Sequence, residues 1–320
     1  MAASMQKIAD RLTSRLKVRY LVLMLQISKC GSLTRAAEAL GFSQPAASKA
    51  LGELEDIFGS PLFLRSSNGL VPTPLGELAL RRAVHMLQDM ENWGRETEAI
   101  LTGHTAHLNV GAIPTVSGRL LSRATQQIYT LHRVTISLHR ATSDQLIRLM
   151  RRHELDCMIG RATVINADDN MVQQALYAQR PVLIANVDLA HRLQQEKISL
   201  HTLAAMDWIL PSPATPTGKM ITEIFAKANI PPPFPKIETY SADVIEDLLQ
   251  NSTSFLSLMA EDIAADICRN KKIALIPFQF DERLPPISFI RHKRTTQVLA
   301  EENFAEIFRE VCNQFYPGEV

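Results

Sequence analysis

The most constraining feature of the sequence is a pair of short helical patterns joined by one tight turn, between residues 33 and 58. The first pattern covers Leu33–Leu40, and Gly41 supplies the positive φ that a tight turn requires. Ser43 is a preferred N-cap for the second helix, and Pro45 fits its first turn, where no intrahelical N–H partner is needed. Two helices joined in this way are typical of the helix-turn-helix motif.

Side chains along the second helix of this pair divide into two faces. The apolar residues recur at helical spacing, which predicts an inward stripe of Ala47, Ala50, Leu51, Leu54 and Phe58. The polar residues left pointing outward are Gln44, Ser48, Lys49 and Glu55. Gln44 suits adenine, Lys49 suits guanine or phosphate, and Ser48 suits either. Pro45 offers apolar contact to a thymine methyl. The pattern predicts a recognition helix, with an ordinary αα-hairpin as the alternative.

A β-hairpin is predicted directly after this helix. Asn68-Gly69 lies between two apolar runs, and this dipeptide is a strong signal for a hairpin turn. A two-stranded wing there brings Arg65 to the phosphate backbone, with a surface arginine at a hairpin as the alternative. Residues 1–65 carry nine lysines and arginines against five acidic residues, whereas the whole chain has a net charge of +1. This basic segment suits a polyanion, although a solvated basic face has the same charge.

An apolar helix is predicted over Tyr20–Ile27, near the start of the chain, and Gly31 ends it. A single long helix is predicted after the hairpin, from Pro74 to a stop at Gly103. Apolar positions along the long helix alternate at spacings of four and three, as in a coiled-coil seam: Ala79, Ala83, Met86, Met90, Trp93, Thr97 and Ile100. This narrow stripe predicts dimerisation, with packing against its own chain as the alternative. A two-fold dimer predicts a pseudo-palindromic operator on double-stranded DNA.

From His107 onward, short apolar segments alternate with amphipathic ones. Strands are predicted at His107–Ala112, Thr135–His139, Leu155–Ile159, Pro181–Ala185, Trp208–Leu210, Lys236–Tyr240, Phe255–Met259 and Ile287–His292. Helices are predicted at Ser117–Leu131, Asp144–Arg152, Gly218–Ala228, Ala242–Asn251, Glu261–Asn270 and Glu301–Gln314. This order predicts parallel sheets with helices on both faces, where ligands bind at the carboxyl ends of the strands.

Residues 19–76 resemble the DNA-binding domain of LysR-type transcriptional regulators. The matching strings are SLTRAAEALGFSQPAASKALGELE from Ser32 to Glu55, FGSPLFLR from Phe58 to Arg65, and PTPLG from Pro72 to Gly76. Lys49 stands where the family more often has arginine. The resemblance implies an all-α N-terminal part with a winged helix-turn-helix, then a long linker helix. A two-lobed α/β effector domain, similar to periplasmic binding proteins, follows.

The resemblance also implies an organisation and a set of partners. Residues 1–73 would form the DNA-binding domain with an N-terminal extension, 74–103 the linker helix, and 104–320 the effector domain. Lobe I would comprise 106–161 and 268–318, and lobe II 162–267. The implied DNA contacts are Arg35, Ser43, Gln44, Pro45, Ser48, Lys49 and Arg65. The implied partners are a small-molecule effector, RNA polymerase and further copies of the chain, as a homodimer or homotetramer.

Polar residues fall where such a module places its ligand, just after predicted strands. The hydroxyl-bearing candidates are Thr115, Ser117, Thr142, Ser143, Ser212, Thr215 and Thr217. For each hydroxyl, simple N-capping is the alternative. Arg161 follows the third strand and is a candidate fork for a carboxylate. Together these residues favour a small organic acid as the effector.

Other function classes are set aside by what the sequence lacks. It has no nucleotide-binding glycine loop and no nucleophile elbow, and His153-Glu154 lacks the second histidine of a zinc-protease motif. We therefore expect no enzyme, no catalytic residue, no metal and no cofactor. Four scattered cysteines, no apolar run of about 20 residues and no secretory signal lead us to expect a cytoplasmic protein.

Two alternatives stay open. One is an α/β small-molecule-binding protein or enzyme whose N-terminal helices serve assembly. The other is an architectural DNA-binding protein that has no effector.

Overall fold

The computed structural model describes residues 2–67, 69–161, 170–196, 198–269, 271–282, 284–293 and 298–316. The chain divides into two compact units, Met1–Glu98 and Ala99–Val320. Parts of the predictions fall on Asn68, residues 162–169, Asn270 and residues 317–318, which lie outside the described residues.

The first unit consists of helices and one hairpin. In chain order its elements are α1 (Ala2–Arg15), α2 (Val18–Cys30), α3 (Leu33–Ala39), α4 (Gln44–Phe58), β1 (Phe63–Ser66), β2 (Gly69–Pro72) and α5 (Pro74–Leu101). No element was predicted for the N-terminal extension, which forms α1. Arg11 on this helix donates from Nη1 to the backbone oxygen of Asp56 on α4 at 3.1 Å.

Local hydrogen bonds explain where α2, α3 and α4 begin and end. Gly31 ends α2 in the left-handed conformation, with a φ of 64°. The Ser32 hydroxyl then accepts a first-turn backbone N–H of α3 at 3.5 Å. Gly41 turns the chain with a φ of 67°, and the Ser43 hydroxyl accepts a first-turn N–H of α4 at 3.4 Å. The predicted turn chemistry is confirmed at Gly31, Gly41 and Ser43, whereas the cap at Ser32 was not predicted.

Small residues let α3 and α4 approach each other closely. Ala36, Ala37 and Ala47 are fully buried, and large side chains of α2 complete the core around them: Tyr20, Leu23, Met24 and Ile27. Within the predicted stripe of α4, Ala47 and Leu54 are buried, and Ala50, Leu51 and Phe58 are partly buried. Ile57 is buried as well and was not predicted.

The hairpin is fixed to the end of α2. β1 and β2 are antiparallel, with Phe63 opposite Pro72 and Ser66 opposite Gly69. The backbone N–H of Leu70 donates to the oxygen of Gly31 at 2.8 Å. Gly69 has a φ of +111°, and a Cβ there would lie 2.3 Å from the same Gly31 oxygen. Glycine is therefore required at this position by both conformation and space.

The long helix α5 has 28 residues and so extends about 42 Å. Ala79 and Ala83, at the start of the predicted seam, are buried in the core of the first unit. Further along, Met86, Met90 and Trp93 are exposed, Trp93 at 68%. A single chain thus leaves most of the apolar stripe uncovered.

The second unit contains two five-stranded sheets with helices. Lobe I holds β3 (Ala106–Ala112), α6 (Gly118–His132), β4 (Val134–Arg140), α7 (Ser143–Arg151), β5 (Cys157–Gly160) and β6 (Met171–Gln179). Lobe II follows with β7 (Pro181–Asn186), α8 (Val187–Gln195), α9 (Leu200–Ala204), β8 (Asp207–Leu210), α10 (Pro216–Lys227), β9 (Pro235–Glu238), α11 (Ala242–Gln250), β10 (Phe255–Ala260), α12 (Glu261–Ile267) and β11 (Ile273–Ile276). The chain then returns to lobe I with β12 (Leu284–His292) and α13 (Leu299–Phe315). The strand orders are β4-β3-β5-β12-β6 in lobe I and β11-β7-β10-β8-β9 in lobe II.

The sheet topology corrects the predicted architecture in two respects. Both sheets are mixed rather than parallel, because β12 runs antiparallel to β5 and β6, and β7 runs antiparallel to β10 and β11. The lobe boundaries also move: β6 belongs to lobe I and β11 to lobe II. Lobe I therefore extends to Gln179, and it resumes at Leu284 rather than at residue 268.

Candidate functional site

The predicted DNA-contacting residues form an exposed group on the first unit. Residues from the first turns of α4 are exposed, as is the cap that precedes them: Ser43, Gln44, Pro45, Ser48 and Lys49. Arg35 on α3 and Arg65 on β1 are exposed as well. The buried Ala47 fixes which side of α4 faces the core, so the polar side faces solvent. Contact of these side chains with DNA stays a prediction.

Glu55 does not point freely outward, and this part of the α4 prediction is wrong. Its carboxylate oxygen Oε1 accepts the backbone N–H groups of Leu62 at 2.7 Å and Phe63 at 3.3 Å. These two N–H groups lie at the start of the hairpin and have no helical partner. Glu55 therefore ties the wing to α4.

A cavity of about 630 Å³ lies between the lobes of the second unit. Seven of the eight predicted effector-binding residues line it: Thr115, Thr142, Ser143, Arg161, Ser212, Thr215 and Thr217. They follow the ends of β3, β4, β5 and β8, so the rule that ligands bind at strand ends brings them together here.

Ser117 is the exception among the predicted effector residues. Its side chain is buried, and its hydroxyl donates to Oδ2 of Asp266 on α12 at 2.8 Å. The hydroxyl oxygen of Ser117 also accepts the backbone N–H of Arg119 at 3.2 Å and so caps α6. Ser117 does not line the cavity, because the capping position turns its hydroxyl toward α12.

Two of the hydroxyls that line the cavity also cap helices, which was the alternative interpretation given for each hydroxyl in the sequence. The Thr142 hydroxyl accepts the N–H of Gln145 at 3.4 Å, and the Gln145 side chain accepts the N–H of Thr142 at 3.1 Å. The Thr215 hydroxyl accepts the N–H of Gly218 at 3.1 Å and donates to the oxygen of Ser212 at 2.7 Å. These bonds rigidify the cavity wall at the N-termini of α7 and α10.

Arg161 is the buried cation of the cavity, with 2% of its surface exposed. Its Nε donates to the oxygen of Pro285 at 3.0 Å, Nη1 donates to the hydroxyl of Thr115 at 2.9 Å, and Nη2 donates to Oε1 of Gln179. Burial lowers the pKa of the guanidinium to about 10, against smaller raising effects of Tyr177 and Asp262. The charged form is therefore poorly compensated where it lies.

Several cavity residues were missed from the sequence. Lys219 and Glu223 on α10 and Tyr240 before α11 line the cavity and are exposed. Lys219 lies in the string Thr217-Gly218-Lys219, whose position at the start of the predicted helix Gly218–Ala228 was a usable signal. Gln179 had no signal, because the strand that carries it was not predicted.

The described ranges offer little to metal or thiol chemistry. No cluster of three or more histidine, cysteine, aspartate or glutamate side chains suited to a metal ion occurs among the described residues. Burial raises the pKa of the Cys312 thiol to about 12 and also raises that of Cys268. Within the same ranges, every helix falls short of the length and hydropathy needed to cross a bilayer.

Two family models match the chain. Residues 18–77 match a model described as bacterial regulatory helix-turn-helix protein, lysR family. Residues 102–313 match a model described as LysR substrate binding domain. Together they cover the winged helix-turn-helix, the start of the long helix and both lobes.

Curated relatives are named transcriptional regulators. The HTH-type transcriptional regulator GalR of Pseudomonas putida is 27% identical over 255 residues, covering 78% of this chain and 63% of that protein. This chain thus spans less than two thirds of that relative's length. PcaQ of Agrobacterium fabrum, also an HTH-type transcriptional regulator, is 25% identical and covers 95% of this chain and 97% of that one. These names set the enzyme alternative aside.

Solved structures share the fold. Full-length CbnR complexed with its target DNA matches with a TM-score of 0.65 and 20% identity, covering 92% of this chain and 100% of that chain. CbnR described as a LysR family transcriptional regulator matches with a TM-score of 0.63, also at 20% identity. The predicted fold class is confirmed by these likenesses together with the family models.

Proposed function

We propose, because this chain belongs to the LysR family of DNA-binding transcriptional regulators, that a small carboxylate-bearing metabolite bound between its two lobes controls its action on DNA. The observation that carries this proposal is the cavity between the lobes, which combines a buried arginine with hydroxyls at two helix N-termini. Such groups recognise a carboxylate through charge-assisted hydrogen bonds.

On the DNA side, we assign base reading to Gln44, Pro45, Ser48 and Lys49, with Ser43 presenting the helix. Arg35 and Arg65 contact phosphates and set the register of the helix in the major groove. Support comes from the exposure of these residues on α3, α4 and β1. The binding takes place where the genome is, so the protein acts in the cytoplasm.

Members of the family are oligomeric, and we assign this chain a homodimer or homotetramer built on α5. The exposed stripe of Met86, Met90 and Trp93 supports this assignment, since an apolar stripe on so long a helix is usually covered by a partner helix. A two-fold dimer presents two recognition helices to a pseudo-palindromic operator.

The ligand acts by favouring one arrangement of the lobes over another. A change at the lobes then alters the spacing of the recognition helices in the oligomer and with it the recruitment of RNA polymerase.

The DNA assignment is tested by selecting binding sequences from a random pool with the wild-type protein. The selected DNA is then used in gel shifts with a variant carrying Gln44→Ala and Lys49→Ala. Two lost base contacts predict a fall in affinity of about 100-fold, at about 1–3 kcal/mol for each. Arg81→Ala removes an exposed cation from α5 and serves as the control. Unchanged specific binding by the double variant would refute the assignment of the recognition helix.

The ligand assignment is tested by thermal unfolding of the full chain against a panel of metabolite acids. A stabilising acid is then added to the gel shift, where it should change the affinity or the mobility of the complex. Thr142→Ala and Arg161→Ala should each weaken the response. If Thr142→Ala abolished it and Arg161→Ala left it intact, the cavity would stand but the carboxylate fork would fall.

A further inference from the structure

Gln179 lies between Arg161, which lines the cavity, and Asp262 on α12. It is the last residue of β6, it is 3% exposed, and it directly precedes the crossing into lobe II. Its Oε1 accepts the N–H of Arg161, and its Nε2 donates to Oδ1 and Oδ2 of Asp262, each at 2.9 Å. The amide is therefore oriented by its neighbours, with the oxygen toward the cation and the nitrogen toward the carboxylate.

The carboxylate on the far side of this amide is satisfied without the arginine. Besides the two bonds from Gln179, Asp262 accepts a hydrogen bond from the hydroxyl of Tyr177 at 3.4 Å. Tyr316 provides a further side-chain hydrogen bond that stabilises the ionised form. Burial nevertheless raises the pKa of Asp262, which marks it as a desolvated acid of lobe II held by neutral donors.

The Arg161 guanidinium, on the cavity side of the amide, does not use all of its N–H groups. Three of the five N–H groups of an arginine are taken here, by Pro285, Thr115 and Gln179, and all three acceptors are neutral. One N–H is left on each terminal nitrogen, with no further acceptor in the part of the chain that the structure describes. A carboxylate that accepts one N–H from each terminal nitrogen would be held at two points. Since Arg161 lines the cavity, its ligand approaches from there.

We infer that Gln179 determines the class of ligand: its amide separates Arg161 from Asp262 and so leaves the cation to bind an anionic group in the cavity. This inference rests on the proposed control by a ligand between the lobes. Were an acid in direct contact with Arg161, the pair would neutralise itself, and the arginine would offer a carboxylate no unpaired charge. The amide also joins lobe I to lobe II, so an anion on Arg161 acts on a contact that spans both lobes.

The test exchanges the acid and the amide. A double variant, Gln179→Glu with Asp262→Asn, keeps the net charge and moves the carboxylate onto Arg161. Asp262→Asn alone is the matched variant, because it removes the acid but leaves an amide against the arginine. The full chain is titrated with acetate and with benzoate at constant ionic strength, each beside its neutral amide, with thermal unfolding and calorimetry as readouts.

The wild type and Asp262→Asn should bind the carboxylates and not the amides. The double variant should bind the carboxylates at least about 30-fold more weakly than the wild type. This factor is the lower end of the loss in affinity expected when a buried charge pair loses one partner. Equal binding of carboxylates and amides by the wild type would overturn the inference. So would undiminished carboxylate binding by the double variant, or a wild type that neither carboxylate stabilises.

A second variant, Arg161→Gln, tests the inference if the double variant fails to fold. Folding is at risk because Gln179→Glu also replaces the Nε2 donor to the backbone oxygen of Thr115, now at 2.9 Å, with a carboxylate oxygen. Arg161→Gln removes the cation and should abolish the preference for carboxylates over amides; a retained preference would overturn the inference.

Gel shifts on the selected DNA separate this inference from the function it rests on. If carboxylates bind as expected but never alter DNA binding, the proposed control fails while the role of Gln179 stands. If a metabolite controls DNA binding equally well in the wild type and the double variant, the control stands and the role of Gln179 fails.

Discussion

The two candidate sites differ in how their side chains are supported. The residues of the first unit that we propose to contact DNA are exposed, come from one short stretch of helix plus two outlying arginines, and rest on locally capped helices. The cavity residues come from segments far apart in the chain, and Arg161 is held by residues of the loop after β3, the end of β6 and β12. Function and stability are therefore separable in the first site and coupled in the second.

The largest effect is expected from Arg161→Ala. It removes the donor to the buried side-chain oxygen of Gln179 and two further hydrogen bonds, to Pro285 and Thr115, so the free energy of unfolding of the second unit should fall by about 3 kcal/mol. Hydrogen exchange with mass spectrometry measures each unit separately. Arg140→Ala is the matched control, because Arg140 also donates to two carbonyls but is exposed. Equal losses of unfolding free energy in the two variants would contradict the coupling of function and stability in the second site.

A backbone change in the wing should have the next largest effect on stability, in the first unit. Gly69→Ala forces a Cβ against the Gly31 oxygen at a positive φ and should cost about 2 kcal/mol or more. The Leu70 amide should then lose its protection from exchange, because its bond to Gly31 breaks. Gly41→Ala, also at positive φ but with open space around it, should cost about 1 kcal/mol. A smaller loss for Gly69→Ala than for Gly41→Ala would show that the wing is not pinned to α2.

Loss of a helix N-cap should lower the free energy of unfolding by a similar amount in both units. Ser43→Ala and Thr142→Ala each remove a hydroxyl that accepts a first-turn N–H, which costs about 1 kcal/mol. Denaturant unfolding monitored in each unit by exchange measures the two losses. A loss of several kcal/mol at Thr142 would mean that its hydroxyl supports more of the cavity wall than α7 alone.

The smallest effect on stability is expected at the surface that we propose to contact DNA. Gln44→Ala changes an exposed residue and should alter the free energy of unfolding by less than about 0.5 kcal/mol. Its affinity for the selected DNA should nonetheless fall about tenfold. Thermal unfolding and gel shifts on the same preparation check both. A large loss of stability would place Gln44 in the support of α4 rather than in recognition.

The helices of the first unit could be predicted closely because the residues that begin and end each helix lie beside it in the sequence. Gly31, Gly41 and Ser43 each act on helices that begin or end beside them, so local chemistry was sufficient. Glu55 was misjudged because its partners, the N–H groups of the hairpin, depend on how the chain turns back.

The second unit was predictable by pattern, and its cavity only in part. β6 was missed because polar residues interrupt it and because its pairing partner β12 lies much later in the chain. Strand ends still located seven cavity residues, since the rule for ligand sites does not depend on which strands are neighbours. The rotation of each side chain after a strand is set by its partners across the fold, and Ser117, turned to Asp266, is the case that this rule misplaced.

The strand order of lobe I has a consequence for synthesis. β6 lies at the edge of its sheet and is hydrogen-bonded to β12, which the ribosome produces only after all of lobe II. Chains emerge from the N-terminus, and domains fold as units once their parts are available. The winged helix-turn-helix has all its strands by Pro72, whereas the sheet beside the cavity is completed only when His292 has emerged. Translation that stops before Leu284 would therefore yield a chain that has every element of the winged helix-turn-helix but lacks the β12 strand of lobe I.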